Sequence, residues 1–300
     1  SPAPQACPCG AFFVSRVMHK TITVAIEAMA TRFEIALHGA PEATLRAGAE
    51  EALAEVTRLE ATLGLYCPTS EISHINARAA REPMPVSPEV FSLLEHCQEL
   101  NAQTKGAFDI TVASLMKCWR FMNDTGAVPT EEAITQALEC TGSHQLQLNQ
   151  INTTVHLARE GVMLDLGSVG KGYALEQAAA RLQENEFDNF LIHGGTSTVC
   201  AAGTQADGTP WRVAIKHPDE GEPPLHLIDL HNESLSVSGI GGKSFIDEEG
   251  TEQGHVIDPR SGRPTQCARI AVVVCNSATE SDAWATALLV EPDLETPDTL

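Results

Sequence analysis

Five stretches of this chain combine residue types that do chemistry. Asp282 and Thr286 stand four apart in Ser281-Asp-Ala-Trp-Ala-Thr286, a spacing that puts a carboxylate and a hydroxyl on one helical face. Hard oxygen donors of this kind suit magnesium, which keeps several waters and bridges to substrate phosphates. The plain alternative is an aspartate serving the helix dipole and a threonine bonded back to its own helix. His255-Val-Ile-Asp258 sets a histidine three residues from an aspartate, just before Pro259-Arg-Ser-Gly262. A histidine titrates near working pH and can move a proton, and an aspartate nearby could orient it; a hydrogen-bonded structural histidine is the other reading. Leu164-Asp-Leu-Gly-Ser-Val-Gly-Lys-Gly-Tyr173 places three glycines and Lys171 between an expected strand and an expected helix, where free backbone N–H groups stabilise a phosphate. Its spacing matches neither common nucleotide-loop pattern, so a simple glycine turn reads equally well. Gly241-Gly-Lys-Ser244 ends like a phosphate loop, but the first glycine of that pattern would fall at Val237, and a hairpin loop fits better. Phe108-Asp109-Ile-Thr111, followed by Trp119 and Phe121, sets a carboxylate beside an aromatic cluster that packs either a core or a ring ligand.

The elements that must position these residues follow from hydrophobic period. Residues 41–64 put Leu45, Ala49, Leu53, Val56, Leu59 and Leu63 on one helical face. Ser87-Pro88 reads as N-cap and first helical position of a second helix ending near Gly106, and Thr130-Glu-Glu132 opens a third. The period then changes to two. Strands are expected at 145–148, 154–158, 162–166, 190–193, 211–216, 225–230, 235–238, 255–257 and 268–275, with helices at 171–183 and 279–290. Helices and strands come in runs rather than alternating, which argues for an α+β fold over a doubly wound sheet.

The chain has 300 residues, 43% of them hydrophobic, and 19 Lys and Arg against 40 Asp and Glu, for a net charge of −21. Disorder is excluded, nucleic acid is disfavoured as a partner, and an anionic substrate would need a local cation. No run is long enough for a membrane-spanning helix, so a soluble protein is expected. Nine cysteines without a C-x-x-C pair suggest small core residues in a reducing compartment, with Cys7 and Cys9 in a loose N-terminal tail. The other ten histidines form no metal-binding spacing.

Taken in order, these segments resemble the ApbE family of flavin transferases. The resemblance rests on Met29-Ala-Thr31, Ser70-Glu-Ile-Ser-His-Ile-Asn76, Gly106-Ala-Phe-Asp109-Ile-Thr111 with Trp119 and Phe121, and Asp165-Leu-Gly-Ser-Val-Gly-Lys-Gly-Tyr-Ala174. It continues through Gly194-Gly195, Ser238-Gly239, His255-Val-Ile-Asp-Pro259 and Asp282 with Thr286. It implies an α+β, T-fold-like architecture with mixed or antiparallel sheets and helices packed on them. A transferase-like domain would span 21–290, either whole or as two subdomains meeting at the FAD site, with loose tails at 1–20 and 291–300.

The implied reaction is magnesium-dependent transfer of FMN from FAD to a threonine hydroxyl of an acceptor protein, with release of AMP. The implied partners are FAD and a flavoprotein subunit of a membrane redox complex. Position by position, the resemblance assigns magnesium to Asp282, Thr286 and the main-chain carbonyl of Gly170. The flavin and its phosphates fall to Met29, Tyr66, Cys67, Pro68, Ala107, Phe108, Asp109, Gly167, Lys171 and Ile257, and proton transfer to His255.

Three departures stand out. Glu176 replaces a usual aspartate, Ser238-Gly-Ile-Gly-Gly-Lys243 replaces an aromatic-rich segment, and no strand is evident after the last helix. Two other outcomes stay open: an FAD pyrophosphatase giving FMN and AMP, and a non-catalytic flavin-binding protein. The first residues show no signal peptide. Free cysteines favour the cytoplasm, while a removed leader would fit the periplasmic face of the inner membrane, as in many relatives of this kind.

Overall fold

The computed structural model describes residues 20–123, 125–219 and 221–297. The expected N-terminal tail, with Cys7 and Cys9, lies outside the described residues except for Lys20. The described chain opens with a hairpin of β1 (Ile22–Ala28) and β2 (Thr31–Leu37), then α1 (Glu42–Leu63), α2 (Glu71–Arg78), the short β3 (Met84–Pro85), α3 (Pro88–Gln103), α4 (Ala113–Cys118) and α5 (Glu131–Leu138). There follow β4 (Leu146–Asn149), β5 (Thr154–Leu157), α6 (Gly170–Glu184), β6 (Phe190–Gly194), β7 (Thr198–Ala202), and a hairpin of β8 (Trp211–Ile215) and β9 (His226–Leu230). The last part contains β10 (Ser234–Gly239), β11 (Ser244–Ile246), β12 (Glu252–Gly254), β13 (Ile257–Asp258), β14 (Arg263–Pro264), β15 (Ile270–Cys275) and α7 (Ala278–Val290).

One antiparallel sheet in the order β1-β2-β6-β7-β10-β15 organises the molecule. Strand period two divides its residues between two apolar clusters. Phe33, Ile35, Leu37, Phe190 and Ile192 join the main core with α1, α6 and α7, while Val199, Ala201 and Leu235 pack with Trp211, Ile215 and Leu230 of the β8–β9 hairpin. The sheet is thus covered by helices on one side and by a hairpin on the other, so the α+β expectation holds. Among the described residues no helix is long and apolar enough to cross a membrane.

Several elements differ from the sequence expectation. The β1–β2 hairpin was not expected, because its two-residue turn is Met29-Ala30 rather than a glycine pair. Both residues nonetheless take positive φ, 49° and 57°, as a primed turn requires, and Glu60 accepts the Met29 N–H at 2.6 Å. The expected strand at 162–166 is absent. The Asn76 side chain takes the place of a neighbouring strand there, accepting from the Leu164 N–H at 2.7 Å and donating to its carbonyl at 2.9 Å. His255 falls in the gap between β12 and β13 instead of inside a strand. Residues 291–297 are not wholly loose: Leu294 is buried in the main core. The aromatic cluster is core, since Trp119 is buried and donates its indole N–H to the Gly262 carbonyl at 2.8 Å. Gly241-Gly-Lys-Ser244 leads into the β11–β12 hairpin. The described cysteines are all free: Cys97 and Cys275 are buried, but Cys267 is exposed.

Candidate active site

The glycine-rich segment and α7 meet because the chain leaves no room for anything larger between them. A Cβ on Gly172, in the first turn of α6, would strike the Ala278 carbonyl and the Asp282 side chain. With no Cβ there, the Gly172 N–H reaches Asp282 Oδ2 at 3.0 Å. The other Asp282 oxygen accepts from the Thr198 hydroxyl at 3.4 Å, and Lys171 Nζ stands 4.0 Å from Oδ2. Asp282 is only 4% exposed. One turn on, the Thr286 hydroxyl bonds back to the Asp282 carbonyl at 3.3 Å and meets Ser238 Oγ at 3.3 Å. The start of α7 is fixed by Glu176, whose carboxylate accepts from the Ser277 hydroxyl at 2.6 Å and the Thr279 N–H at 3.0 Å. The glutamate that stands in place of an aspartate therefore caps the helix carrying Asp282.

A cavity of about 850 Å³ opens beside this cluster, between the sheet and the β8–β9 hairpin, within the range of small-molecule sites. Ala107, Asp109, Gly167, Lys171, His255, Ile257, Asp282 and Thr286 line it, so the structure brings these expected residues together. Gly170 is the buried first residue of α6 and is not in the lining. Phe108 is a core side chain. Met29, Tyr66, Cys67 and Pro68 are not in the lining. They gather at the C-terminal end of α1, with Met29 bound to Glu60 and the Tyr66 ring 69% exposed in the turn that follows. The Cys67 thiol is pulled below its usual range there by a hydrogen bond with Thr69.

Sequence reasoning passed over Lys216, Arg212, Arg269, His193 and Asp165, all of which line the cavity, Asp165 having been read only as part of the glycine-rich segment. The signal was faint, a few cations scattered over strands of an acidic chain. Folding concentrates them: four of the 19 Lys and Arg line this cavity but only three of the 40 Asp and Glu. Arg212 is oriented by a paired contact with Asp229 (2.6 and 2.9 Å) and Arg269 by one with Asp219 (2.6 and 3.3 Å). An anionic ligand therefore meets local cations that the overall charge conceals.

His255 is held by the backbone. Its N–H donates to the Lys243 carbonyl at 3.0 Å, and Nδ1 lies 3.2 Å from the same oxygen. That contact assigns the proton to Nδ1 and leaves Nε2 as the basic nitrogen. Burial, with Lys243 and Lys171 nearby, pushes the imidazole below the ordinary histidine range, so it is neutral at neutral pH. The expected orienting role of Asp258 is corrected: its carboxylate is occupied by Arg260, with Nε at 2.9 Å and Nη2 at 3.2 Å. Asp109, raised by burial, accepts from the Thr111 N–H and hydroxyl at 2.8 and 2.6 Å and from Asn101 at 3.1 Å, which ties the wall of the cavity together.

A helix-backed antiparallel sheet, a cation-lined cavity, a buried carboxylate and a neutral histidine describe an α+β enzyme of phosphate-group chemistry. A family model described as the ApbE family matches residues 29–299, and the chain belongs to that family. It is 30% identical to the FAD:protein FMN transferase of Klebsiella pneumoniae over 87% of this chain and 76% of that one. To the Salmonella typhimurium protein of the same name it is 31% identical, over 76% and 66%. Among solved structures, the ApbE protein of Thermotoga maritima superposes with a TM-score of 0.83 at 27% identity, covering 90% of this chain and 87% of that one. The flavin transferase ApbE of Vibrio cholerae gives 0.77 at 26%, covering 91% and 87%.

Proposed function

We propose that this chain transfers FMN from FAD to a threonine hydroxyl of an acceptor protein and releases AMP, using magnesium held by Asp282, Thr286 and the Gly170 carbonyl. The observation that carries the reading is the convergence, in a chain of net charge −21, of Lys171, Lys216, Arg212 and Arg269 around a buried aspartate and a neutral histidine. The donor chemistry fits a hard cation, because Asp282 and Thr286 offer oxygens and no cysteine lines the cavity, the one sulfur in the lining being the Met116 thioether. Among the described residues no group of three or more His, Cys, Asp or Glu could hold a metal. The ion would therefore complete its shell with carbonyl, water and phosphate oxygens. When bound, magnesium neutralises charge developing on the phosphoryl oxygens and the AMP leaving group.

The rest is work for this chain's own side chains. Lys171 faces the phosphates, the Gly170 and Gly172 N–H groups beside it being engaged by the Leu166 carbonyl and Asp282, while Arg212, Lys216 and Arg269 draw the dinucleotide in and hold its orientation. A threonine hydroxyl is a poor nucleophile near neutral pH, and His255 Nε2 takes its proton as the oxygen attacks phosphorus. The acceptor fits the class of flavoprotein subunits of membrane redox complexes.

The test is AMP release from FAD with magnesium, with and without an acceptor domain. AMP matched by acceptor-bound FMN supports the proposal. AMP with free FMN regardless of acceptor assigns the chain as an FAD pyrophosphatase, and bound FAD with neither product makes it a flavin-binding protein.

A further inference from the structure

His255 rests on one stretch of backbone. The β11–β12 register sets Ser244 opposite Gly254, and one step further along the same ladder Lys243 meets His255. The Lys243 carbonyl accepts from the His255 N–H at 3.0 Å and faces Nδ1 at 3.2 Å. The ring lies along the same backbone, with Cε1 3.4 Å from the place a Cβ would take on Gly242. A carbonyl can only accept, so this peptide decides which ring nitrogen carries the proton.

The peptide in turn is held by β11, and β11 has one covered residue. Ser244 and Ile246 are exposed, while Phe245 between them is half-buried. Its ring meets that of Phe121 with centroids 5.7 Å apart and planes tilted by 49°, a favoured geometry for aromatic pairs. The same ring lies against Gly126, where a Cβ would strike it and where φ is 52°. Phe245 thereby packs on the apolar cluster of Leu115, Trp119, Phe121, Ile134 and Ile257. Ile257 follows His255 by two residues, so the segment carrying the histidine is tied to one cluster from both sides. On β12 the Gln266 amide reaches the Glu252 carbonyl at 3.4 Å, a long contact.

We infer that Phe245 is a positioning residue for His255: its ring docks the β11–β12 hairpin on Phe121 and Gly126 and so holds the Lys243 carbonyl that keeps the proton on Nδ1 and Nε2 open. The inference rests on the transferase reading, in which Nε2 takes the proton of the acceptor threonine. Without the ring, β11 loses its covered residue, the Lys243 carbonyl is free to move away from Nδ1, and the imidazole can place its proton on either nitrogen. A ring with the proton on Nε2 cannot serve as base there.

The test is imidazole nitrogen NMR of the full chain labelled at histidine, at neutral pH and without FAD or magnesium, the His255 signals being assigned by their absence in His255→Gln. The unmodified chain shows the Nδ1–H tautomer, and Phe245→Ala shows a mixture of the two. FMN transfer by Phe245→Ala at saturating FAD and magnesium falls about tenfold, less than the hundredfold or so that loss of the base itself costs, while FAD affinity, read by flavin fluorescence, is unchanged. Phe245→Leu, which keeps apolar bulk on the cluster, retains most of the rate. Gly126→Ala pushes on the ring from the other side and repeats the loss, yet adds little to it in the Phe245→Ala background, where its methyl group has room. An unchanged tautomer in Phe245→Ala overturns the inference, as does a rate that falls only in step with FAD affinity, which would make Phe245 a packing residue of the cavity wall. Full transfer by His255→Gln would instead remove the base on which the inference rests; the tautomer, read without any reaction, separates that failure from this one.

Discussion

Asp282 and His255 line one cavity from supports of opposite character. Asp282 sits on α7, a helix buried on almost every side, with Trp284, Ala283 and Ala285 in the core and Glu176 bound at its start. Both carboxylate oxygens have partners from other elements, Gly172 on α6 and Thr198 on β7. His255 follows β12, a three-residue strand whose hairpin with β11 has one buried residue, Gly254. A single carbonyl, that of Lys243, holds both its backbone and its ring. The difference matches the two tasks. A site for concentrated charge must be organised before the ligand arrives, because stray dipoles would have to be reoriented at a cost in rate. A proton acceptor needs only the correct tautomer and a reachable nitrogen.

The contrast can be broken most severely at Asp282. Asp282→Asn keeps acceptor capacity for Gly172 but removes the charge, and FMN transfer should fall about a thousandfold, equivalent to roughly 4 kcal/mol. Titrating magnesium against AMP release checks it, and a near-normal rate at ordinary magnesium would contradict the metal assignment. His255→Gln should cost about a hundredfold with FAD affinity unchanged. In the unmodified chain the depressed imidazole keeps transfer active below the ordinary histidine range as pH falls, and the rate is lost only as His255 takes up a proton; a pH–rate profile reads this directly. Gly172→Ala tests the rigid support itself. Its methyl group has nowhere to go between α6 and α7, so stability should drop by about 1–3 kcal/mol, seen as a lower midpoint in thermal or urea unfolding. The smallest effect belongs to Asp258→Asn, which should change the transfer rate by less than about twofold and leave the acid limb in place, because Asp258 serves Arg260.

Much of this was legible in residue types and spacing. The Asp282–Thr286 pair reads as one helical face because helical period is local, and α7 delivers it. The long amphipathic α1 was visible for the same reason. What escaped depends on partners far along the chain. Val162 to Leu166 has strand composition, but a side-chain amide from Asn76, 88 residues away for Leu164, takes the ladder's place. The β1–β2 turn carries Met and Ala where glycine or asparagine would announce a hairpin, and Glu60 supplies the compensating bond. Lys216, Arg212 and Arg269 look like scattered surface charge until the β8–β9 hairpin folds over the sheet. Asp258 reads as the partner of His255 because it is three residues away, whereas its carboxylate is taken by Arg260 and the ring is held by the Lys243 carbonyl, twelve residues back.

The proposed reaction passes the FMN phosphoryl group of FAD to a threonine hydroxyl of the acceptor rather than to water. Intact mass of an acceptor domain after incubation with this chain, FAD and magnesium, set beside the same domain with its target threonine replaced by valine, tests it most directly. The account predicts one added FMN per acceptor, matched by AMP, on the threonine form only and none after magnesium is chelated. Unmodified acceptor in the presence of AMP and free FMN would contradict it.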